Sequence, residues 1–422
     1  MTFQRTDILL PDFSADQEKM QKWSVVACDQ YTSEPEYWDA VSALVGEDAS
    51  TLNLTVPEIY LNDADIDERI QRTNAKMEEY KEKGLFTEYK NSLIFVERTL
   101  KNGAKRYGVV GAVDLEDYDF SVGSKTKIRA TEGTVVSRIP PRLRVRCGAS
   151  VELPHIMILI DDAAKTIIEP LSGKTNEFEL LYDFDLMQDS GHIKGYKMSD
   201  AACDLMEKQL LSLEDLDTFN QKYGVSMDSA LVFAMGDGNH SLATAKTHYE
   251  NLKKELGDVA KESPARYALC ELVNLHDSSL EFEAIHRVVF DASGEAFLDA
   301  LAKEYELSFD ENDEGQKFEL VLSGEKKTVI VKNPKEYLTV ATVQKALDSF
   351  VSENGGEIDY IHGEDVVLSL AKDEKNFGIL FDAMDKADLY KSVILDGALP
   401  RKTFSMGEAC DKRFYIEARK IK

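Results

Sequence analysis

Gly236-Asp237-Gly238-Asn239-His240-Ser241 follows the apolar run Ala230-Leu231-Val232-Phe233-Ala234-Met235. It precedes Leu242, Ala245, Tyr249, Leu252 and Leu256, which recur at helical spacing until Gly257. The stretch reads as strand, glycine turn and helix. A helix start presents unpaired backbone N–H groups and partial positive charge, so anions settle there. The glycines allow backbone to approach a ligand. In an open sheet, such a turn lies outside the carboxyl end of a strand, where ligands gather. Asp237 is placed to cap the turn or to hold a metal. The competing reading is an ordinary Asp-Gly turn with an exposed histidine; the all-apolar strand before it favours a site.

Outward from this turn, strands and helices mix. Ser24–Ala27 reads as a short buried strand ending in Cys28-Asp29-Gln30, with Ser33-x-x-Glu36 as a capping box for a helix carrying Tyr37, Trp38, Val41 and Leu44. Ile66, Ile70, Met77 and Tyr80 mark a second helix, opened by Asp63 and Asp65 and stopped by Gly84. Three hairpins are expected: 93–96 with 107–113, 156–160 with 166–168, and 319–322 with 328–331. Helices are expected near 200–212, 240–256, 295–305 and 364–385. The pattern predicts an α/β (mixed α+β) fold with a mixed sheet, hairpins and flanking helices. A chain of 422 residues is expected to hold two or three domains, divided here as 1–117, 118–278 and 279–422.

The chain carries 50 basic and 77 acidic residues, a net charge of −27. Such a surface repels nucleic-acid phosphates and anionic membranes. No apolar run reaches the roughly 20 residues of a membrane span, and the start lacks signal-peptide character. Cys28, Cys147, Cys203, Cys270 and Cys410 lie far apart, as expected for free thiols in the cytoplasm. His155, His192, His248 and His276 show no metal-ligand spacing.

Against that acidic background, Lys125, Lys127, Arg129, Arg138, Arg142, Arg144 and Arg146 face one acid, Glu132. Arginine forks bind phosphate oxygens in pairs, so the cluster suits a polyanion such as a diphosphate. The alternation of Arg142, Arg144 and Arg146 also fits a solvated strand face, with Pro140-Pro141 as a rigid break before it. Asp29 sits where a strand gives way to a helix, a position like that of Asp237. Lys412-Arg413 reads as isolated surface charge.

Gly236–Ser241 resembles the Asp-Gly-His-His-Arg signature of the domain of unknown function 1015 family. Ala130-Thr131-Glu132-Gly133-Thr134 with Arg138 is similar to that family's His-Glu-x-Thr segment, Ile285-His286-Arg287 to its Pro-Thr-His-Arg, and Lys22–Gln30 to its N-terminal motif. The chain departs from the signature at Asn239 and Ser241, which replace a histidine and an arginine. Cys28-Asp29-Gln30 stands in place of Pro-Pro-Tyr-Asp. The resemblance implies a ParB/sulfiredoxin-like core and kinship with free-serine kinases, which transfer phosphate between L-serine and a donor with Mg²⁺.

The resulting expectation is a cytoplasmic phosphotransferase interconverting serine and O-phosphoserine, with pyrophosphate or a nucleotide as donor and Mg²⁺ as cofactor. Its partners are a small-molecule substrate and the phosphate donor, with neither nucleic acid nor membrane. Glu132, Asp237 and His240 are the catalytic candidates. Gly236, Gly238, Asn239, Ser241, Arg129, Arg138 and Arg142 are assigned to phosphate, Thr134, His286 and Arg287 to substrate, and Asp237 and Asp29 to metal. No Gly-x₄-Gly-Lys-Ser/Thr loop is present. The alternatives are a metal-dependent phosphatase using the same groups and a non-catalytic nucleotide- or partner-binding protein.

Overall fold

The computed structural model describes all 422 residues. The chain forms two compact units: Met1–Ala130, Thr134–Leu280 and Gly407–Lys422 make the first, and Thr131–Gly133 with Glu281–Met406 make the second. Residues 1–117 and 118–278 contribute strands to one sheet of the first unit. The second unit begins just after Leu280, and the last sixteen or so residues return to the first.

The first unit is built on a nine-stranded sheet. Its order is Ile128–Arg129, Phe233–Asp237, Met157–Ile160, Tyr267–Asn274, Lys105–Asp114, Ile94–Thr99, His192–Lys197 and Glu179–Asp185, with Phe3–Gln4 pairing Lys105–Asp114 off this path. Two pairings are parallel, Phe233–Asp237 with Ile128–Arg129 and Tyr267–Asn274 with Met157–Ile160; the rest are antiparallel. The fold is thus mixed α/β. Ile94, Val96, Val110, Leu269 and Ile193 pack into one core with Trp23, Trp38, Met77 and Tyr80, which come from helices Gln17–Trp23, Pro35–Val45 and Ile66–Glu82.

The carboxyl-terminal segment is stitched into that core. Phe414, Tyr415, Ile416 and Ala418 are all but inaccessible. Ala27 donates to the Arg413 carbonyl, Tyr415 to that of Val25, and Leu9 and Ala418 exchange a bond pair. Arg419–Lys420 pairs with Val151–Glu152. Arg413, expected on the surface, is 3% exposed and bridges Glu271 and Glu417, while Arg419 and Arg146 share Glu152. Burial alone would lower the Arg413 pKa; Glu417 and Glu271 outweigh it and hold the guanidinium protonated.

The second unit is a six-stranded sheet, antiparallel throughout. Successive residues face opposite sides. Val289 and Leu320 pack under helices Gly294–Glu304 and Thr339–Asn354, and Val288 and Val321 under Glu364–Leu370. The hairpin at Ser323-Gly324 has φ of 51° and 82°, the pair of positive values that a two-residue turn of this hand requires.

Several local expectations give way. No strand forms at 166–168, because the Asp162 carboxylate takes the N–H groups of Thr166 and Ile167. Ser33 does not cap; the helix starts at Pro35 with Glu34 before it. Residues 364–385 divide into helix Glu364–Leu370 and strand Phe377–Leu380. Residues 24–27 make one isolated bridge, Val26 to Phe414, in place of a strand.

Arg413→Met leaves Glu271 and Glu417 buried without their shared cation. Removing one partner of a buried pair costs about 3–5 kcal/mol. Urea denaturation of the first unit's transition should report a loss of that order, and a loss under about 1 kcal/mol would mean the pair is solvated.

Candidate functional site

The strand Phe233–Asp237 loses its register with Met157–Ile160 between Met235 and Asp237, so Gly236 sits at an irregularity. A Cβ on Gly236 would lie 3.0 Å from Leu159 Cγ. Gly238 has φ +78°, and its Cβ would lie 3.0 Å from the Ile156 Cα. Any larger residue is strained at Gly238, and one at Gly236 would require Leu159 to give by a few tenths of an ångström. Asp237 accepts the Gly238 N–H at 2.8 Å and does not cap the helix Asn239–Leu256, whose N-cap Gly238 supplies no side-chain acceptor. The first-turn N–H groups thus have no side chain to satisfy them.

His240 lies in that turn. Its Nε2 accepts the Val135 N–H at 3.2 Å, which leaves the proton of the neutral ring on Nδ1. Burial, then Arg142, then Arg138 push its pKa down to about 4, Asp29 opposing them. The ring is neutral near pH 7, and two guanidinium groups act on the helix start. Two buried polar atoms on the residues that precede His240 and Val135, Asn239 Oδ1 and Thr134 Oγ1, have no hydrogen-bond partner.

The basic segment sorts into separate tasks. Residues 139–148 form a helix in place of a strand, and Pro140-Pro141 lie in its first turn, where a missing N–H costs nothing. The helix sets Arg142 against Glu58 and Arg146 against Glu152, and turns Arg144 outward to Asp67. Arg138 is exposed, and its carbonyl accepts from Arg142 at 2.6 Å. Arg129 is buried and donates to the carbonyls of Thr126 and Ser229. Lys127 pairs with Glu214.

Residues without a readable motif complete the surroundings. His155, 6% exposed, joins Ser241 Oγ to Nε2 at 2.7 Å and Tyr415 Oη to Nδ1 at 2.9 Å. Tyr415 Oη also accepts the Cys28 N–H. Asp29 lies 3.9 Å from His155 Nε2; burial would raise its pKa, but His155, the Gln30 amide and Lys412 outweigh this and hold it below the usual carboxylate range. Burial and Asp29 raise Glu58 despite Arg142. Lys412 stands 3.5 Å from Asp237. One cation therefore acts on both expected metal-binding carboxylates. No three His, Cys, Asp or Glu side chains group as a metal cage.

Glu132, His286 and Arg287 belong to the second unit. Arg287 is fully buried, donates to Gln344 and the Ile285 carbonyl, and stacks on Tyr360 and Phe381. Burial pulls its pKa down to about 10, with Glu132 among the groups opposing this. His286 Nδ1 accepts the Phe381 N–H.

Residues 10–350 match the family model for a protein of unknown function, DUF1015. The chain belongs to that family. No curated protein matches it. Among solved structures it is similar to a free serine kinase in complex with AMP, at 14% identity over 74% of this chain and 91% of that one, TM-score 0.39. It is also similar to a conserved hypothetical protein from Pyrococcus furiosus, at 11% identity over 72% and 93%, TM-score 0.36. A third is SbnI with C-terminal truncation from Staphylococcus aureus, at 8% identity over 73% and 82%, TM-score 0.36.

The depressed His240 pKa fixes a sign. The folded value, about 4, lies below the unfolded value of about 6.5, so the unfolded chain binds the proton more readily. The stabilising contribution is present above about pH 6.5 and is lost as pH falls through about 4. Histidine-resolved NMR should find His240 flat between about pH 6 and 8; a midpoint above about 6 would contradict the positive field assigned to Arg142 and Arg138.

Proposed function

We propose that this DUF1015 member is a phosphotransferase acting on a small hydroxy amino acid of the L-serine type, to or from its O-phospho form, with pyrophosphate or a nucleotide as donor. The observation that carries the reading is the helix start itself: its first-turn N–H groups have no side-chain cap, His240 there accepts the Val135 N–H, and Arg142 and Ser241 line one cavity. Phosphoryl transfer asks mainly for positioning and charge neutralisation, and this arrangement supplies both.

In this reading the N–H groups after Gly238 and the His240 Nδ1–H donate to phosphate oxygens, and the small residues Gly236 and Gly238 let the phosphate approach backbone. Asn239, Ser241 and Thr134 offer further polar contacts, Asn239 and Thr134 each with a buried oxygen lacking a partner. Arg138, exposed at the helix entrance, neutralises the donor tail, and Arg142 shares its charge between Glu58 and the phosphate. Arg129 is left to its carbonyls.

Asp237 and Asp29 offer the hard oxygen donors that Mg²⁺ takes, where it would have to replace the Lys412 ammonium that acts on both. Mg²⁺ favours one or two carboxylates together with substrate phosphates, and when bound it would neutralise charge on the donor oxygens. Glu132, expected as the base, and His286 and Arg287, expected as substrate contacts, stand in the second unit and take no part in this reading; Arg287 is spent on Gln344 and the Ile285 carbonyl.

Incubation with Mg²⁺, L-serine and ATP, ADP or pyrophosphate should yield phosphoserine with one donor class. Asp237→Asn should abolish that product with a melt close to wild type, since Asp237 bonds only the adjacent N–H and Lys412. Asp29→Asn should lower kcat at a fixed Mg²⁺ concentration, and an unchanged kcat would remove Asp29 from the site. Phosphate release from phosphoserine without any acceptor would replace the transferase by a phosphatase; ligand binding with no turnover would remove the enzyme.

A further inference from the structure

The first unit contains a cavity of ≈ 150 Å³ that shares Arg142 and Ser241 with the proposed phosphate site. Most of its wall is apolar: Leu54, Val56, Leu61, Met77, Val145 and Leu269 line it. Its polar groups are the pairs Arg142 with Glu58, His155 with Ser241, and Arg146 with Glu152, with single hydroxyls beside them. The same void is therefore greasy along its walls and continuous, through Ser241 and Arg142, with the groups proposed to bind phosphate.

Size and polarity together select an occupant. A void of about 150 Å³ with apolar walls accommodates a benzene-sized body. Serine matches it poorly: with a single methylene beyond its polar groups, it would leave most of the apolar wall without contacts. A molecule with one polar end and an apolar body matches both parts of the wall. We infer that the cavity receives the apolar body of the acceptor, which is a hydroxylated amino acid with an aromatic or branched aliphatic group of about six carbons. The acceptor's role in transfer rests on the phosphotransferase reading; the preference for an apolar body does not.

The matched pair L-serine and L-threo-3-phenylserine tests this, because the two share a head group and differ by a phenyl ring. Calorimetric titration of the full chain without donor should show phenylserine binding at least about tenfold tighter than serine, the order expected for burying a ring. Val145→Phe, which fills the cavity from the half-buried side of its helix, should bring that ratio towards one. Leu61→Phe is the second variant, used if the first melts early. Equal or tighter binding of serine by the wild type, or a preference that survives both fillings, would overturn the inference. The transfer assay separates it from the reading it deepens. Phosphoserine formed with no gain from the phenyl ring overturns the inference and leaves the phosphotransferase. A phenylserine preference with no phosphate transfer to either acceptor leaves the cavity's occupant class standing and removes the phosphotransferase.

Discussion

The first turn of the helix Asn239–Leu256 has backbone donors and no side-chain acceptor, and the site is organised around that deficit. Asp237, the residue best placed by sequence to cap it, turns instead to the Gly238 N–H and to Lys412. An exposed helix terminus contributes only about 0.3–1 kcal/mol to holding an anion. Even millimolar affinity needs about 4 kcal/mol. The arginines and His240 must therefore provide most of the binding. Their arrangement suits this, because His240 stays neutral as a donor while Arg142 and Arg138 bring the charge.

What fixes those groups is the end of the chain. Tyr415 orients His155, His155 orients Ser241, and Lys412 meets Asp237. All follow from the segment after Gly407 being bonded into Leu9, Val25–Ala27 and Val151–Glu152. Arg413 anchors it through Glu271 and Glu417, with Tyr182 donating to Glu417. Buried charges of this kind add little net stability when complete, but they are costly to break. They thus hold the segment in one register more than they stabilise the fold.

The local patterns in the sequence carried most of the fold class. The helix at Ile66–Glu82, the Ser323-Gly324 hairpin and the strand-turn-helix at 233–256 follow from period and turn chemistry alone. The helix Thr339–Asn354 was masked by its β-branched start, Thr339-Val340-Ala341-Thr342-Val343, which resembles a strand until Leu347 and Phe350 extend the helical period. At Arg142–Arg146 the alternation of charges imitated a strand, whereas partners on neighbouring elements made it a helix. The site's turn, His240 and the nearest arginines were legible because they lie within or beside a motif. His155, Glu58, Lys412 and Tyr415 were not, since each reaches the site only through long-range packing. One signal was available: Arg413 runs directly into Phe414-Tyr415-Ile416, an apolar stretch that would not sit on a surface.

The central claim is that a phosphate rests on the helix start under Arg138 and Arg142. Titrating pyrophosphate into the ¹⁵N-labelled chain and following backbone amides tests it most directly. The account predicts saturable shifts first and largest at Asn239, His240 and Ser241. Saturable shifts located elsewhere, with these amides unmoved, would contradict it.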